Sequence, residues 1–192
     1  MSLVITGNPG VGKHTIAKKI AKLLKFQLID INKIALNSNV VKGSKDAIDV
    51  DVIKLKQILK NKIFKDSVIV GHLAPYVISK SQIKYAVILR KNPYKLITIY
   101  KTRKYSKQKM HENLESEILG IIAYDAIKKF TKNKTYQIDA SLDSISNTTK
   151  KITRIIDGKF KQEEVDWLDL ITKKNDLQKF FSYEFNNELD VI

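Results

Sequence analysis

Short apolar runs alternate with helix-spaced stretches along this chain. Leu3-Val4-Ile5 is a continuous apolar run and predicts a buried strand. From Lys13 to Leu24, the residues Ile16, Ile20, Leu23 and Leu24 recur at helical spacing and predict one apolar stripe. Phe26 to Ile31 alternates as a second strand would, and Asn32 to Gly43 is mixed, with helical spacing only in Ile34-Ala35-Leu36. Ile48-Asp49-Val50-Asp51 alternates apolar and acidic positions, and Val52 to Ile63 reads as an amphipathic helix. Ser67 to Val70 and Tyr85 to Leu89 are runs of the buried-strand type, the second ending at Arg90. A helix is expected from Asn92-Pro93 to about Lys101, and a single long one from Lys107 to Phe130. Tyr136 to Asp139 is a last short strand. Ser144 to Ile156 closes the series as a helix, with Ile145, Thr149, Ile152 and Ile155 or Ile156 facing inward. Strands alternating with helices predict an α/β sandwich of three layers around a central parallel sheet.

One stretch carries chemistry. Gly7-Asn8-Pro9-Gly10-Val11-Gly12-Lys13-His14-Thr15 lies between the first strand and the first helix, the context in which G-x-x-x-x-G-K is a phosphate loop. Its glycines let successive backbone N–H groups converge, and the helix that follows adds its unpaired N–H groups and positive dipole end. Lys13 would reach the β- and γ-phosphates. A loop that binds ligand at the carboxyl end of its strand also places that first strand near the middle of the sheet. The residue after the lysine is usually Ser or Thr, whose hydroxyl holds magnesium; here it is His14. Imidazole suits a hard, oxygen-seeking cation poorly. Thr15 is the next hydroxyl and the expected magnesium ligand, directly or through water.

Composition narrows the class. The chain has 192 residues, 43% hydrophobic and 29% charged, enough for one well-buried domain. No apolar run is long enough to span a membrane, and the chain enters a strand at once, so neither membrane nor leader is expected. With no cysteine, disulfides and thiolate metal sites are excluded, and the cytoplasm is the expected compartment. The net charge of +15 exceeds what a nucleotide requires and leaves RNA contact open beside a plain excess of solvated lysine. From Asp157 on, acidic residues outnumber lysines. That segment, with Trp167 and Phe180-Phe181-Ser182-Tyr183, reads as an appendage docked on a 1–156 domain or, alternatively, as a partner-binding tail.

Further segments resemble one family. Val68-Ile69-Val70-Gly71-His72-Leu73, Val87-Ile88-Leu89-Arg90, Thr102-Arg103-Lys104-Tyr105-Ser106-Lys107-Gln108-Lys109 and Glu112-Asn113-Leu114-Glu115-Ser116-Glu117-Ile118-Leu119 follow the loop in order. Together they resemble the adenylate kinase 6-type proteins (the Fap7 group), especially the archaeal members, over about residues 1–156. The resemblance implies a P-loop NTPase fold of nucleoside monophosphate kinase type, with a monophosphate-binding cover and a short lid. It implies phosphoryl exchange between ATP and AMP or another monophosphate, ATPase activity, Mg2+, and a role in late small-subunit (16S rRNA) maturation. The implied partners are ribosomal protein uS11 and the pre-30S subunit.

Carried over by position, Gly10, Val11, Gly12, Lys13, His14 and Thr15 would hold the ATP phosphates. Residues from about Asp30 to Val52 would form the cover, and about 102–112 the lid, with Arg103 reaching ATP. His72 falls at the second phosphate-site motif, where Gly71 replaces an acidic residue often found beside it. Phosphoryl transfer rewards positioning and charge neutralisation, and the planar guanidinium fork suits phosphate. The chain has only three arginines, so Arg103 and Arg90 are expected to act with Lys13 and His72 in catalysis, with a structural ion pair as the alternative for Arg90. Asp30, Asp49 and Asp51 are the expected monophosphate contacts, solvated carboxylates being the alternative for the last two. Scarce arginine predicts a slow kinase, or an assembly factor whose nucleotide cycle switches binding to uS11.

Overall fold

The computed structural model describes residues 2–43, 48–63 and 66–181. Five parallel strands form its central sheet: β1 (Leu3–Thr6), β2 (Gln27–Asp30), β5 (Ser67–Val70), β6 (Tyr85–Arg90) and β7 (Thr135–Asp139), in the order β2-β5-β1-β6-β7. β1 is central, as its ligand-loop position requires. A small antiparallel hairpin, β3 (Val41–Gly43) with β4 (Ile48–Val50), stands apart from the sheet.

Period-two alternation divides the apolar runs between two cores. Leu3, Ile5, Val68, Val70, Val87 and Leu89 face one side of the sheet. There they meet α1 (Lys13–Leu24), α5 (Pro93–Thr102), α6 (Lys107–Ile118) and α8 (Ile145–Ile156). Val4, Ile69, Ala86 and Ile88 face the other side. That side carries α2 (Ile31–Asn37), α3 (Val52–Lys60), α4 (Ala74–Val77) and α7 (Ile121–Phe130). Every one of these strand side chains is fully buried, at about 1.5–3 kcal/mol each for the larger ones, so a one-residue register slip has no apolar face to exchange into. The result is the three-layer P-loop sandwich that the alternation predicts.

Three expectations change. The long helix from Lys107 to Phe130 is broken into α6 and α7, because Gly120 takes a left-handed φ of 65° and a Cβ there would stand 3.3 Å from the Arg90 guanidinium. The buried face of α1 is centred on Ala17 and Ile20 rather than on Leu23, which is 57% exposed at its margin. On α8, Thr148 is buried while Ile145 is exposed.

Residues after 156 pack onto the first core as α9 (Trp167–Lys173) and α10 (Leu177–Phe181), with Trp167, Ile171 and Phe180 buried. Both helices contact α6. Ser182, Tyr183 and the rest of the expected appendage, like 44–47 of the expected cover, lie outside the described residues. Among the described residues no helix is long and apolar enough to cross a membrane.

Candidate active site

β1 delivers the chain into the glycine loop with Thr6, whose hydroxyl donates to the Gly71 carbonyl at 2.9 Å. Gly10 and Gly12 take φ of 89° and 94°, values that only glycine holds without strain, and Gly12 caps α1. The Tyr100 hydroxyl donates to the Pro9 carbonyl at 2.7 Å and fixes the loop's outer side. Lys13 is 5% exposed, with its ammonium donating to the Asn8 carbonyl at 3.1 Å across the loop. Val11 turns inward into the first core, which leaves only its backbone for the loop's inner surface.

A hollow of about 320 Å³ opens over this loop. Of the residues expected to meet ATP, all but Val11 line it: Gly10, Gly12, Lys13, His14, Thr15 and Arg103, joined by His72 of the expected catalytic set. Arg103 closes α5 as its C-cap residue, is exposed, and lines the hollow together with the loop's helix. Tyr105 lines the same hollow with its ring stacked on Tyr100 at 5.2 Å, and the Lys109 ammonium lies 5.1 Å from the Tyr105 ring centre.

A second hollow, about 450 Å³, adjoins the first, and Pro9, Asn32, His72 and Lys109 line both. One wall is apolar, with Val41 and Val50 from the hairpin and Leu36 from α2; the other is a polar face of α6. Four residues make that face: Lys109, Glu112, Asn113 and Ser116. Their i, i+3, i+4, i+7 spacing is one stripe of a helix. Lys109 and Glu112 fall within the expected lid; Asn113 and Ser116 were not expected at the site, because such a stripe looks like any solvated helix face.

Besides Val11, four expected site residues line neither hollow. Arg90 is 3% exposed and spent on structure: its Nε donates to Glu117 at 2.9 Å, one terminal nitrogen to Gln137 at 2.7 Å and the other to the Glu117 carbonyl at 2.6 Å. The ion-pair alternative is the arrangement found, and it leaves no fork for phosphate. Asp30 caps α2, accepting from the Asn32 and Lys33 amides. Asp51 caps α3, accepting from the Lys54 amide, and Asp49 is exposed on β4. Carboxylates at helix starts satisfy N–H groups that lack partners, which explains their positions without a ligand.

The electrostatics of the first hollow are set by burial. Desolvation, reinforced by Arg103 and opposed by Asp30 and Glu117, lowers Lys13 to about 8, so its ammonium is costly to bury and ready to be paired. His72 is pushed down to about 4 by burial, with Lys13 and His14 adding, and is neutral at physiological pH. His14 is also lowered, by burial first and against the pull of Asp30, whose carboxylate faces its Nε2 at 3.4 Å. Among the described residues no group of three or more His, Cys, Asp and Glu side chains could hold a metal. The Thr15 hydroxyl is the oxygen donor beside Lys13 that lines the hollow, which fits a magnesium ion held mainly by phosphate oxygens and water.

Residues 3–120 match a family model described as an AAA domain. The chain belongs to that family. It is also 26% identical to a "Putative adenylate kinase" of Thermococcus onnurineus over 170 residues, covering 87% of this chain and 91% of that one. To a protein of the same name from Methanococcus maripaludis it is 29% identical over 178 residues, 88% of this chain and 96% of that one. Among solved structures it is similar to the YorR protein of Bacillus subtilis in complex with phosphorylated GDP. There the TM-score is 0.59 at 16% identity, over 82% of this chain and 96% of that one. For shikimate kinase of Bacteroides thetaiotaomicron the TM-score is 0.50 at 17% identity, over 82% and 98%. At these identities the structural likenesses show the fold alone.

Proposed function

We propose that the protein is a nucleoside monophosphate kinase that transfers the γ-phosphoryl group of ATP to AMP or a similar monophosphate. The observation that carries this reading is a pair of adjoining hollows, one over the phosphate loop and one beyond it, meeting at His72 and Lys109. The relatives' names support the same class of reaction. ATP would lie in the first hollow with its phosphates on the loop amides and Lys13, and the acceptor in the second. A phosphate oxygen of the acceptor attacks the γ-phosphorus; the bond to the β–γ bridging oxygen breaks, and ADP leaves with that electron pair. Arg103 would neutralise the equatorial oxygens, and Lys109 would hold the acceptor phosphate against the donor. Neutral His72 would orient the acceptor, or a water where none is bound, which would give an accompanying ATPase activity. Thr15, with water, would hold the Mg2+ that accompanies ATP, whose charge would offset that of the phosphates.

ADP release measured with ATP alone, ATP plus AMP, and ATP plus other monophosphates tests the reading, with Lys13→Ala as control. Stimulation by a monophosphate is expected, abolished in Lys13→Ala and weakened about a hundredfold in Lys109→Ala. A rate with every monophosphate no higher than hydrolysis alone would reject it. A net charge of +15 favours a second reading: a ribosome assembly factor in which ATP switches contact with uS11 and pre-30S rRNA, in the cytoplasm. A uS11 pull-down that does not change with ATP counts against that reading.

A further inference from the structure

Glu117 is fully buried on the inward stripe of α6, beside Met110, Leu114 and Ile118. A carboxylate there must be compensated by donors, and the donors come from three separate parts of the chain. Its Oε2 accepts from the Asn8 side chain at 2.8 Å. Its Oε1 accepts from Arg90 Nε at 2.9 Å, the Lys91 amide at 3.0 Å and the Trp167 indole N–H at 3.0 Å.

Asn8 is the second residue of the phosphate loop, and α6 grips its amide at both ends, since Ser116 Oγ donates to the Asn8 Oδ1 at 3.0 Å. The same Asn8 offers its backbone carbonyl to the Lys13 ammonium. A triphosphate seated on the loop would draw that ammonium toward the ligand and release the carbonyl. One covalent residue therefore carries the change to Glu117, and one further hydrogen bond carries it to Trp167 on α9. Trp167 is 7% exposed and packs with Ile171 and Phe180 in the first core, so α9 and α10 are held to α6 around this hydrogen bond.

We propose that Glu117 is a positioning residue that ties the phosphate loop, through Asn8, to Trp167 in the C-terminal helices, so that this segment and the loop's nucleotide occupancy control one another. The coupling is reciprocal by necessity: whatever the nucleotide does to the Trp167 contact, that contact does to nucleotide affinity. It rests on the reading that ATP binds the loop.

The chain contains one tryptophan, which makes the test direct. ATP with Mg2+ is titrated into the full chain while heat of binding and Trp167 emission are followed together. The expected result is an emission change that saturates with the heat, and in Asn8→Ala, at ATP concentrations that saturate that variant, loss of the emission change. Trp167→Phe keeps a ring in the core and removes only the N–H; it is expected to raise the KM for ATP about fivefold with kcat retained. A role confined to stability would lower the unfolding temperature of Trp167→Phe and leave KM where it was. Saturating heat with constant emission, an undiminished emission change in Asn8→Ala, or an unaltered KM in Trp167→Phe each overturns the coupling. Absence of any heat of binding removes the loop reading itself, and the proposal with it.

Discussion

Gly71 and Ile31 stand so close that a Cβ added to the glycine would lie 2.8 Å from the Ile31 Cβ. The end of β5 is therefore closed to any side chain by the first residue of α2. A carboxylate beside His72 thus has no room at this position.

Gly71→Asp is accordingly expected to destabilise the protein by about 1–3 kcal/mol through overpacking, with no gain in magnesium affinity. Combining it with Ile31→Gly, which removes the opposing Cβ, should recover part of that loss, since the two sites share one volume. Thermal unfolding of the single and double variants reads this; strict additivity would mean that Ile31 is not the obstacle.

Burying the Lys13 ammonium costs the fold stability. Its pKa is lowered to about 8 from an ordinary 10.5, so the unfolded chain holds more protons between those values, and the folded state gains stability as pH rises through that window. Below about pH 8 the cost of burying the charge is fully present. Lys13→Met should raise stability at pH 7 by about 1–2 kcal/mol, the lost donor to Asn8 offsetting part of the relief. It should also abolish ATP-dependent activity. Denaturant unfolding at pH 7 and pH 10 should show the gain shrinking at the higher pH.

Arg90 and Arg103 should separate cleanly in a paired experiment. Arg90→Met leaves Glu117 buried without its cation and is expected to cost about 3–5 kcal/mol of stability. Arg103→Ala removes an exposed side chain and should change stability by less than about 0.5 kcal/mol, while lowering the rate about 10²- to 10³-fold. Equal losses of rate per folded molecule in the two variants would return Arg90 to the chemistry.

His72 should report the charge in the hollow. Lowered to about 4 from 6.5 by burial, it binds a proton more readily in the unfolded chain between those values, so stability falls as pH drops through that window. Bound phosphate would favour its charged form and is expected to raise this pKa by about one unit or more. Nuclear magnetic resonance titration of the imidazole protons, with and without ATP, checks it; a pKa unmoved by ATP would place the phosphates elsewhere.

Much of the candidate site was legible because a phosphate loop is written in nine consecutive residues and works mainly through backbone. Lys13, His14, Thr15, His72 and Arg103 line one hollow as the motifs imply. Beyond the lid, the polar stripe of α6 was not legible, since helical spacing alone does not say whether a polar face meets water or a ligand. Asp30 and Asp51 show the converse: acidic residues in a plausible cover are occupied by capping helices.

By itself, the order of apolar runs settled the layered α/β architecture and the loop's place after a central strand, because strand alternation and glycine geometry are local properties. Tertiary structure alone decided that Arg90 is bound to Glu117, that Asn8 is held from α6, and that Trp167 closes the same cluster. Those partners lie 27, 109 and 50 residues from Glu117, Asn8 being the distant one and Trp167 the last. The energy of a buried carboxylate depends on which donors surround it in space, and no local pattern along the chain carries that information.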